Sequence, residues 1–185
     1  MNASTDIELD PAVKSRPDYP PVAIDARASH QVFIAEDNEQ TSLTALSEQC
    51  QTGEKLSIVA DAASLPESLA ELPLSTALYV SGSEGYLWDI HNRLTEMGFG
   101  VDKIHLLAPA SAARRLFCTH CYTTMEGVAH TPYTCTGCGR PLLVRDHFSR
   151  ILGAYVGVQI NAEDPADLPA TESLDESASD VKEAC

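Results

Sequence analysis

The chain has 185 residues and a mass of 19.9 kDa, room for one ordinary domain or a small domain plus a mini-domain. Lys and Arg number 12 against 27 Asp and Glu, a formal charge of −15 with a pI near 4.6. That balance argues against free-standing nucleic-acid binding and against a polybasic membrane anchor. The longest apolar runs fall short of the roughly 20 residues of a membrane span, and Met1–Asp10 carries no secretory apolar core. The expected setting is therefore the cytoplasm, where six cysteines are not expected to pair as disulfides.

The charge is unevenly divided: residues 1–113 carry −11, residues 114–150 carry +3, and residues 161–185 carry −7. Four segments follow. Residues 1–20 hold Pro11, Pro17 and Pro20 and are expected to be disordered. Residues 21–112 read as an α/β domain, 113–160 as a metal-binding ribbon, and 161–185 as an acidic disordered tail without an aromatic residue.

Within the second segment, strand signals fall at Val22–Ile24, Gln31–Ala35, Lys55–Val59, Ala77–Val80 and Lys103–Leu107. Helix signals fall at Thr41–Gln51 and Ser83–Met97. Leu87, Ile90 and Leu94 share one face of the second helix, Ser83 is placed to cap its start, and Gly98 and Gly100 to end it. Alternating strands and helices favour a small parallel sheet.

The run Ala77-Leu-Tyr-Val-Ser-Gly-Ser-Glu-Gly-Tyr-Leu, followed by a helix, Gly98 and Ile104-His-Leu-Leu, resembles the last strand–helix–strand unit of ferredoxin-reductase NAD-binding domains. The resemblance implies a Rossmann-like fold, in degenerate form. Ser81-Gly82-Ser83 stands where that family has a Cys-Gly-Pro-like turn, and no glycine fingerprint for a pyrophosphate precedes it. The helix start at Ser83 could accept an anion, but packing of helix on sheet accounts for the turn without one.

The chemistry concentrates at Cys118-Thr-His-Cys121 and Cys135-Thr-Gly-Cys138-Gly139. Two C-x2-C turns separated by a hairpin can bring Cys118, Cys121, Cys135 and Cys138 into one tetrahedral four-cysteine site, with Gly137 and Gly139 relieving the backbone. Zinc is the expected occupant of this zinc ribbon, in a structural role, because four protein ligands leave no open position for water or substrate. Iron in a rubredoxin-like site uses the same four thiolates and stays the alternative, although Tyr122 stands where rubredoxin-type knuckles usually carry glycine. His120 and His130 are expected to face solvent, Cys50 to be a small buried residue, and Cys185 to have no role.

After the ribbon, Leu142–Val144 suits a closing strand, while Phe148, Ile151, Leu152, Tyr155 and Val156 form an apolar stripe at helical spacing. That stripe is too large for a ribbon to bury alone, so it must pack on the α/β unit or form part of an interface. Arg145, Asp146 and Arg150 are expected to pair locally, and Asp146–His147–Ser149 is too local to be a catalytic triad. Arg114, Arg115, Arg140, Arg145 and Arg150 could in principle form a basic face for nucleic acid.

The run Phe117-Cys-Thr-His-Cys-Tyr, then Cys135-Thr-Gly-Cys-Gly-Arg-Pro-Leu-Leu-Val-Arg-Asp-His-Phe-Ser-Arg and Gly153-Ala-Tyr-Val-Gly-Val, resembles the C-terminal domain of the small subunit of dimethylamine monooxygenase. This enzyme is also described as a haem-dependent oxidative N-demethylase complex. The resemblance implies a multisubunit, NAD(P)H-driven enzyme converting dimethylamine to methylamine and formaldehyde. Haem would lie on a catalytic partner subunit, and flavin and an iron–sulfur cluster on a reductase partner. This chain has no C-x-x-C-H and no further cysteine set for a cluster, so the implied role is a non-catalytic accessory subunit. A nucleic-acid-binding ribbon and a residual nucleotide-binding reductase domain are the competing readings.

Overall fold

The computed structural model describes residues 15–109, 111–164 and 168–174. Two sheets meet across one helix. The first sheet is parallel and four-stranded, built from β1 (His30–Ala35), β2 (Glu54–Val59), β3 (Thr76–Ser81) and β4 (Ile104–Leu106) in the order β2-β1-β3-β4. Helix α1 (Thr41–Gln49) joins β1 to β2, and α2 (Glu84–Glu96) joins β3 to β4.

The two helices cover opposite faces of this sheet because its strand residues alternate sides. Val32, Ile34, Leu78 and Val80 pack with Leu87, Ile90 and Leu94 of α2, all fully buried. Phe33, Ala35, Ala77 and Tyr79 pack instead with Leu43 and Leu46 of α1. β1 and β3 are therefore apolar on both faces, as parallel strands under two helix layers must be.

Four of the five expected strands form. Val22–Ile24 instead runs without regular structure, with Val22 and Ile24 laid against the cluster of Phe33 and Tyr79. Ser83 sits at the cap position before α2 as expected, but its side chain makes no cap bond. Its far end is closed by Gly98, at φ +98°: Gly98 N–H donates to Thr95 O and Phe99 N–H to Leu94 O. These bonds satisfy the last free carbonyls of the helix.

The second sheet holds β5 (Arg114–Cys118), β6 (Thr124–Val128), β8 (Tyr133–Thr134), β9 (Pro141–Ser149) and β10 (Ala154–Gln159), ordered β6-β5-β10-β9-β8. Here β7 (His130–Thr131) stands apart and pairs with β11 (Glu172–Ser173). The segment expected as a helical apolar stripe is instead the β9–β10 hairpin, in which Tyr155 faces Phe148. The stripe divides because its residues fall on two strands and the turn that joins them: Phe148 on β9 and Tyr155 on β10 are buried, whereas Ile151 is 87 % and Leu152 45 % exposed at the turn.

Both terminal segments depart from the expected disorder where they are described. Residues 15–20 have no helix or strand but lie along the second sheet: Ser15 N–H donates to Asp146 O at 3.0 Å, and Arg16 grips the Asp146 carboxylate at 2.7 and 2.8 Å. In the acidic tail, Leu174 is buried in the ribbon core and its N–H reaches Ala129 O. This contact, beside the two-residue strand β11, fixes the described residues 168–174 against the ribbon. Cys185 and residues 1–14 lie outside the described residues. Among the described residues no helix is long and apolar enough to cross a membrane.

Candidate metal centre and the surfaces around it

Each C-x2-C turn is built the same way. Cys118 ends β5, and Cys135 follows β8. Tyr122 N–H donates to Cys118 O and Gly139 N–H to Cys135 O, each at 2.9 Å. Cys118 N–H reaches Thr123 O and Cys135 N–H reaches Arg140 O, at 3.0 and 2.9 Å. The residue after each knuckle takes the left-handed conformation, Tyr122 at φ +64° and Gly139 at φ +71°. The two turns are thus copies in hydrogen bonding and backbone shape, although their sequences differ at the position where glycine is favoured.

The hairpin between them turns the four sulfurs onto one point. Cys118 Sγ lies 3.9 Å from Cys138 Sγ, Cys121 Sγ lies 3.5 Å from Cys135 Sγ, and all four fall within 4.8 Å of one another. A tetrahedral zinc tetrathiolate with bonds near 2.3 Å has sulfur–sulfur edges of about 3.8 Å. The donor set therefore fits a metal ion. Cys118 and Cys135 are buried and the other two half-buried. A Cβ on Gly137 would collide with Thr123 Oγ1, so the second knuckle can pass close to the first only without a side chain there.

Hydrogen bonds from the Thr123 hydroxyl and backbone N–H pull the Cys121 thiol down to about 6. The Arg140 N–H favours a thiolate at Cys138, but burial and the surrounding thiols outweigh it and push Cys138 up to about 11. Four thiols this close cannot all ionise on their own, and a divalent cation removes that conflict. Thr119 ties the first knuckle to β10, its N–H and Oγ1 both meeting Gly157 O at 3.0 Å. His120 and His130 are exposed, as expected, and lie outside the group formed by the four sulfurs. Cys50 is buried at the end of α1, far along the chain from the cluster.

At the other candidate position, the start of α2, the strand order reverses between β1 and β3, the place where open α/β sheets admit ligands. The chain fills it itself. Glu36, following β1, accepts from Ser83 N–H at 2.6 Å and from Ser83 Oγ at 2.9 Å. Its carboxylate sits where an anionic group would take the free N–H of the helix start, and a Cβ on Gly82 would strike Tyr86 and Glu36. A residual nucleotide site is not supported.

The arginines of the basic segment are largely taken up internally. Arg114 is 5 % exposed, bonds Asp146 at 3.0 Å and lies over the Tyr155 ring at 4.4 Å. Arg115 makes two 2.7 Å bonds to Asp89 of α2 and also meets Glu126. Arg140 bonds Gln159, and Arg150 lies over Trp88 at 5.4 Å. Of these five arginines, Arg145 alone is an exposed cation without a partner among the described residues. The expected local pairing of Asp146 with Arg145 and Arg150 is replaced by Arg16 and Arg114, because side chains of adjacent strand residues point to opposite faces.

Arg115 with Asp89, and Arg150 over Trp88, close the joint between the two units. Phe148 and Tyr155 of the apolar stripe pack there on α2, one of the two outcomes the sequence leaves open, although it does not single out the α2 residues that receive them. Trp88 and Leu106 of the first unit pack into the ribbon core. Glu84 is buried between Tyr19 OH at 2.9 Å and Tyr155 OH at 3.3 Å, and Trp88 Nε1 donates to Tyr19 OH at 3.1 Å. Burial raises the Glu84 carboxyl above its ordinary value. Asn92 donates to the Arg150 and Ile151 carbonyls and fixes the hairpin turn.

A parallel α/β unit joined through one helix to a second sheet, which carries four cysteines that could hold a metal ion, defines the class of this protein. Residues 115–158 match the family model described as dimethylamine monooxygenase subunit DmmA-like, C-terminal domain. The chain is also similar to the delta subunit of heme-dependent oxidative N-demethylase from Ectopseudomonas mendocina (strain ymp), 35 % identical over 101 residues. That match covers 55 % of this chain and 58 % of the relative, so the chain spans little more than half the relative's length. Together these similarities support a DmmA-like subunit. No solved structure matches.

Proposed function

We propose that this chain is a non-catalytic accessory subunit of a cytoplasmic, multisubunit, NAD(P)H-dependent monooxygenase that demethylates dimethylamine to methylamine and formaldehyde. The observation that carries the reading is the similarity over 101 residues to a delta subunit named for haem-dependent oxidative N-demethylation. The family match across both knuckles and the β9–β10 hairpin agrees with it. Haem belongs to a catalytic partner, and flavin and iron–sulfur centres to a reductase partner.

Zinc occupies the four-cysteine cluster of Cys118, Cys121, Cys135 and Cys138, one ion per chain, and serves folding and assembly. When bound, zinc supplies a closed crosslink between two turns of backbone. The chain's own residues do the rest: Thr123 and Thr119 orient the first knuckle, Arg115 locks the ribbon onto Asp89 of α2, Arg114 and Asp146 tie β5 to β9, and the joined body presents a fixed surface to its partners.

Two experiments test this. Co-expression with the haem and reductase chains should yield one complex on sizing, with demethylase turnover falling when this chain is left out. A chain that elutes alone, with turnover unchanged in its absence, refutes the proposal. Metal analysis of the purified chain should give about one zinc; a visible iron–thiolate absorbance would instead assign the cluster to electron transfer.

A further inference from the structure

Strand β2 is the longest edge strand among the described residues, six residues against three in β4, five in β6 and two in β8. Edge strands of soluble proteins are usually guarded by proline, a bulge, an inward charge or extreme shortness. β2 has no proline, no bulge and is not short, and its only charges, Glu54 and Lys55, stand at its first two positions. Its register with β1 runs unbroken from Glu54 to Val59. Its one lysine, Lys55, is turned back onto α1, where Nζ donates to Ser47 O at 3.0 Å. Leu56 is 43 % and Val59 52 % exposed.

The direction of the free backbone groups follows from the ladder. Glu54 N–H donates to Ser29 O and Ala60 N–H to Ala35 O, so the even-numbered residues of β2 bond inward. By the alternation of a parallel strand, the N–H and C=O groups of Lys55, Ser57 and Val59 point away from the sheet.

We propose that β2 pairs antiparallel with β2 of a second copy of this chain, about a two-fold axis at Ser57, joining two four-stranded sheets into one of eight. The sequence is self-complementary in that register. Ser57 faces Ser57 and Lys55 faces Val59 in hydrogen-bonded pairs, which uses every outward group of the three residues on each strand. Leu56 faces Ile58 in the closer, non-hydrogen-bonded pairs, so the exposed leucine gains an apolar neighbour. Glu54 faces Ala60, no like charges stand opposite, and Lys55 lies diagonal to Asp61 of the second copy. A one-residue slip would set outward groups against inward ones.

Sedimentation equilibrium of the purified full-length chain tests this without any other subunit, so its result is independent of the assembly proposed above. The wild-type chain should approach twice 19.9 kDa. Ser57→Pro removes an outward N–H at a position where an edge strand tolerates proline, and should sediment as a single chain with unchanged circular dichroism. Leu56→Glu, which leaves the backbone intact, should weaken association at least about tenfold, and it carries the test alone if the proline variant fails to fold. A monomeric wild type overturns the proposal, as does a dimer indifferent to both substitutions. A chain that gains mass only when mixed with the haem or reductase subunit also overturns it, and assigns the edge to a partner's strand.

Discussion

The two halves of the molecule hold themselves together by different means. The parallel sheet is sandwiched between two apolar clusters, each with its own helix, and neither cluster contains a metal ligand. The ribbon has one cluster, and that cluster includes its ligands: Cys118 and Cys135 are buried among Leu116, Met125, Val128 and Leu142, with Cys121 and Cys138 packed against them. In the first half apolar area supplies the stability. In the second, four cysteines that could hold a metal ion pack within or against the hydrophobic core, so loss of either is expected to weaken the other.

The largest expected effect follows from that overlap. Cys135→Ser, or removal of metal by a chelator, should unfold the ribbon, since a structural zinc site contributes on the order of 10 kcal/mol to the folding of such a module. Amide exchange should lose protection across β5, β9 and β10 while β1 and β3 stay protected. Equal loss in both sheets would show that the joint at Trp88, and not the metal, sets the stability of the whole. Leu87→Ala is the mirror experiment. Leu87 of α2 is fully buried against the parallel sheet, and its truncation should cost about 3 kcal/mol by thermal or urea unfolding, while metal content stays unchanged.

Legibility in the sequence divides along the same line. The cysteine spacing locates the cluster because metal geometry imposes a short-range pattern, and the stripe of Leu87, Ile90 and Leu94 locates the buried face of α2. A second stripe on that helix, Glu84, Trp88 and Asn92, at i, i+4 and i+8, reads as solvent-facing because two of its three residues are polar. In the fold it is the surface that receives the ribbon. Glu36 is equally invisible: nothing near it in sequence indicates that it reaches Ser83, 47 positions away. The β9–β10 hairpin reads with a helical period because its apolar residues lie on both strands, and the turn that separates them is itself apolar.

The ion pairs that tie β9 to β5 and to the segment before the first sheet give a pH-dependent prediction. Asp146 is partly buried, which opposes its ionisation, but hydrogen bonds and charge from Arg16 and Arg114 prevail and hold its carboxyl below the ordinary range. A depressed folded-state value contributes stability that is present above the ordinary carboxylate range and lost as pH falls through the folded value. Asp146→Asn should therefore cost about 2 kcal/mol near neutrality, partly because Arg114 is left buried without its carboxylate, and the difference from wild type should close in acid. Unfolding free energies measured across that range check the sign; a deficit that grows in acid would contradict it.

The smallest effect compares the two knuckles. Gly139 and Tyr122 occupy equivalent left-handed positions, yet only one is glycine. A Cβ on Gly139 would meet open space, so Gly139→Ala tests the backbone conformation alone and should cost about 1 kcal/mol. Tyr122→Gly relieves the same strain but loses the contact of its ring with Phe117, at 5.9 Å between centroids, worth about 0.5–1.5 kcal/mol. The two terms are of equal size and opposite sign, so Tyr122→Gly should change stability by less than about 0.5 kcal/mol. Chemical denaturation of the metal-loaded protein measures both. Should Tyr122→Gly prove strongly destabilising, the tyrosine ring, 72 % exposed, supports the first knuckle more than its backbone twin suggests, and the two turns are copies in shape but not in energy.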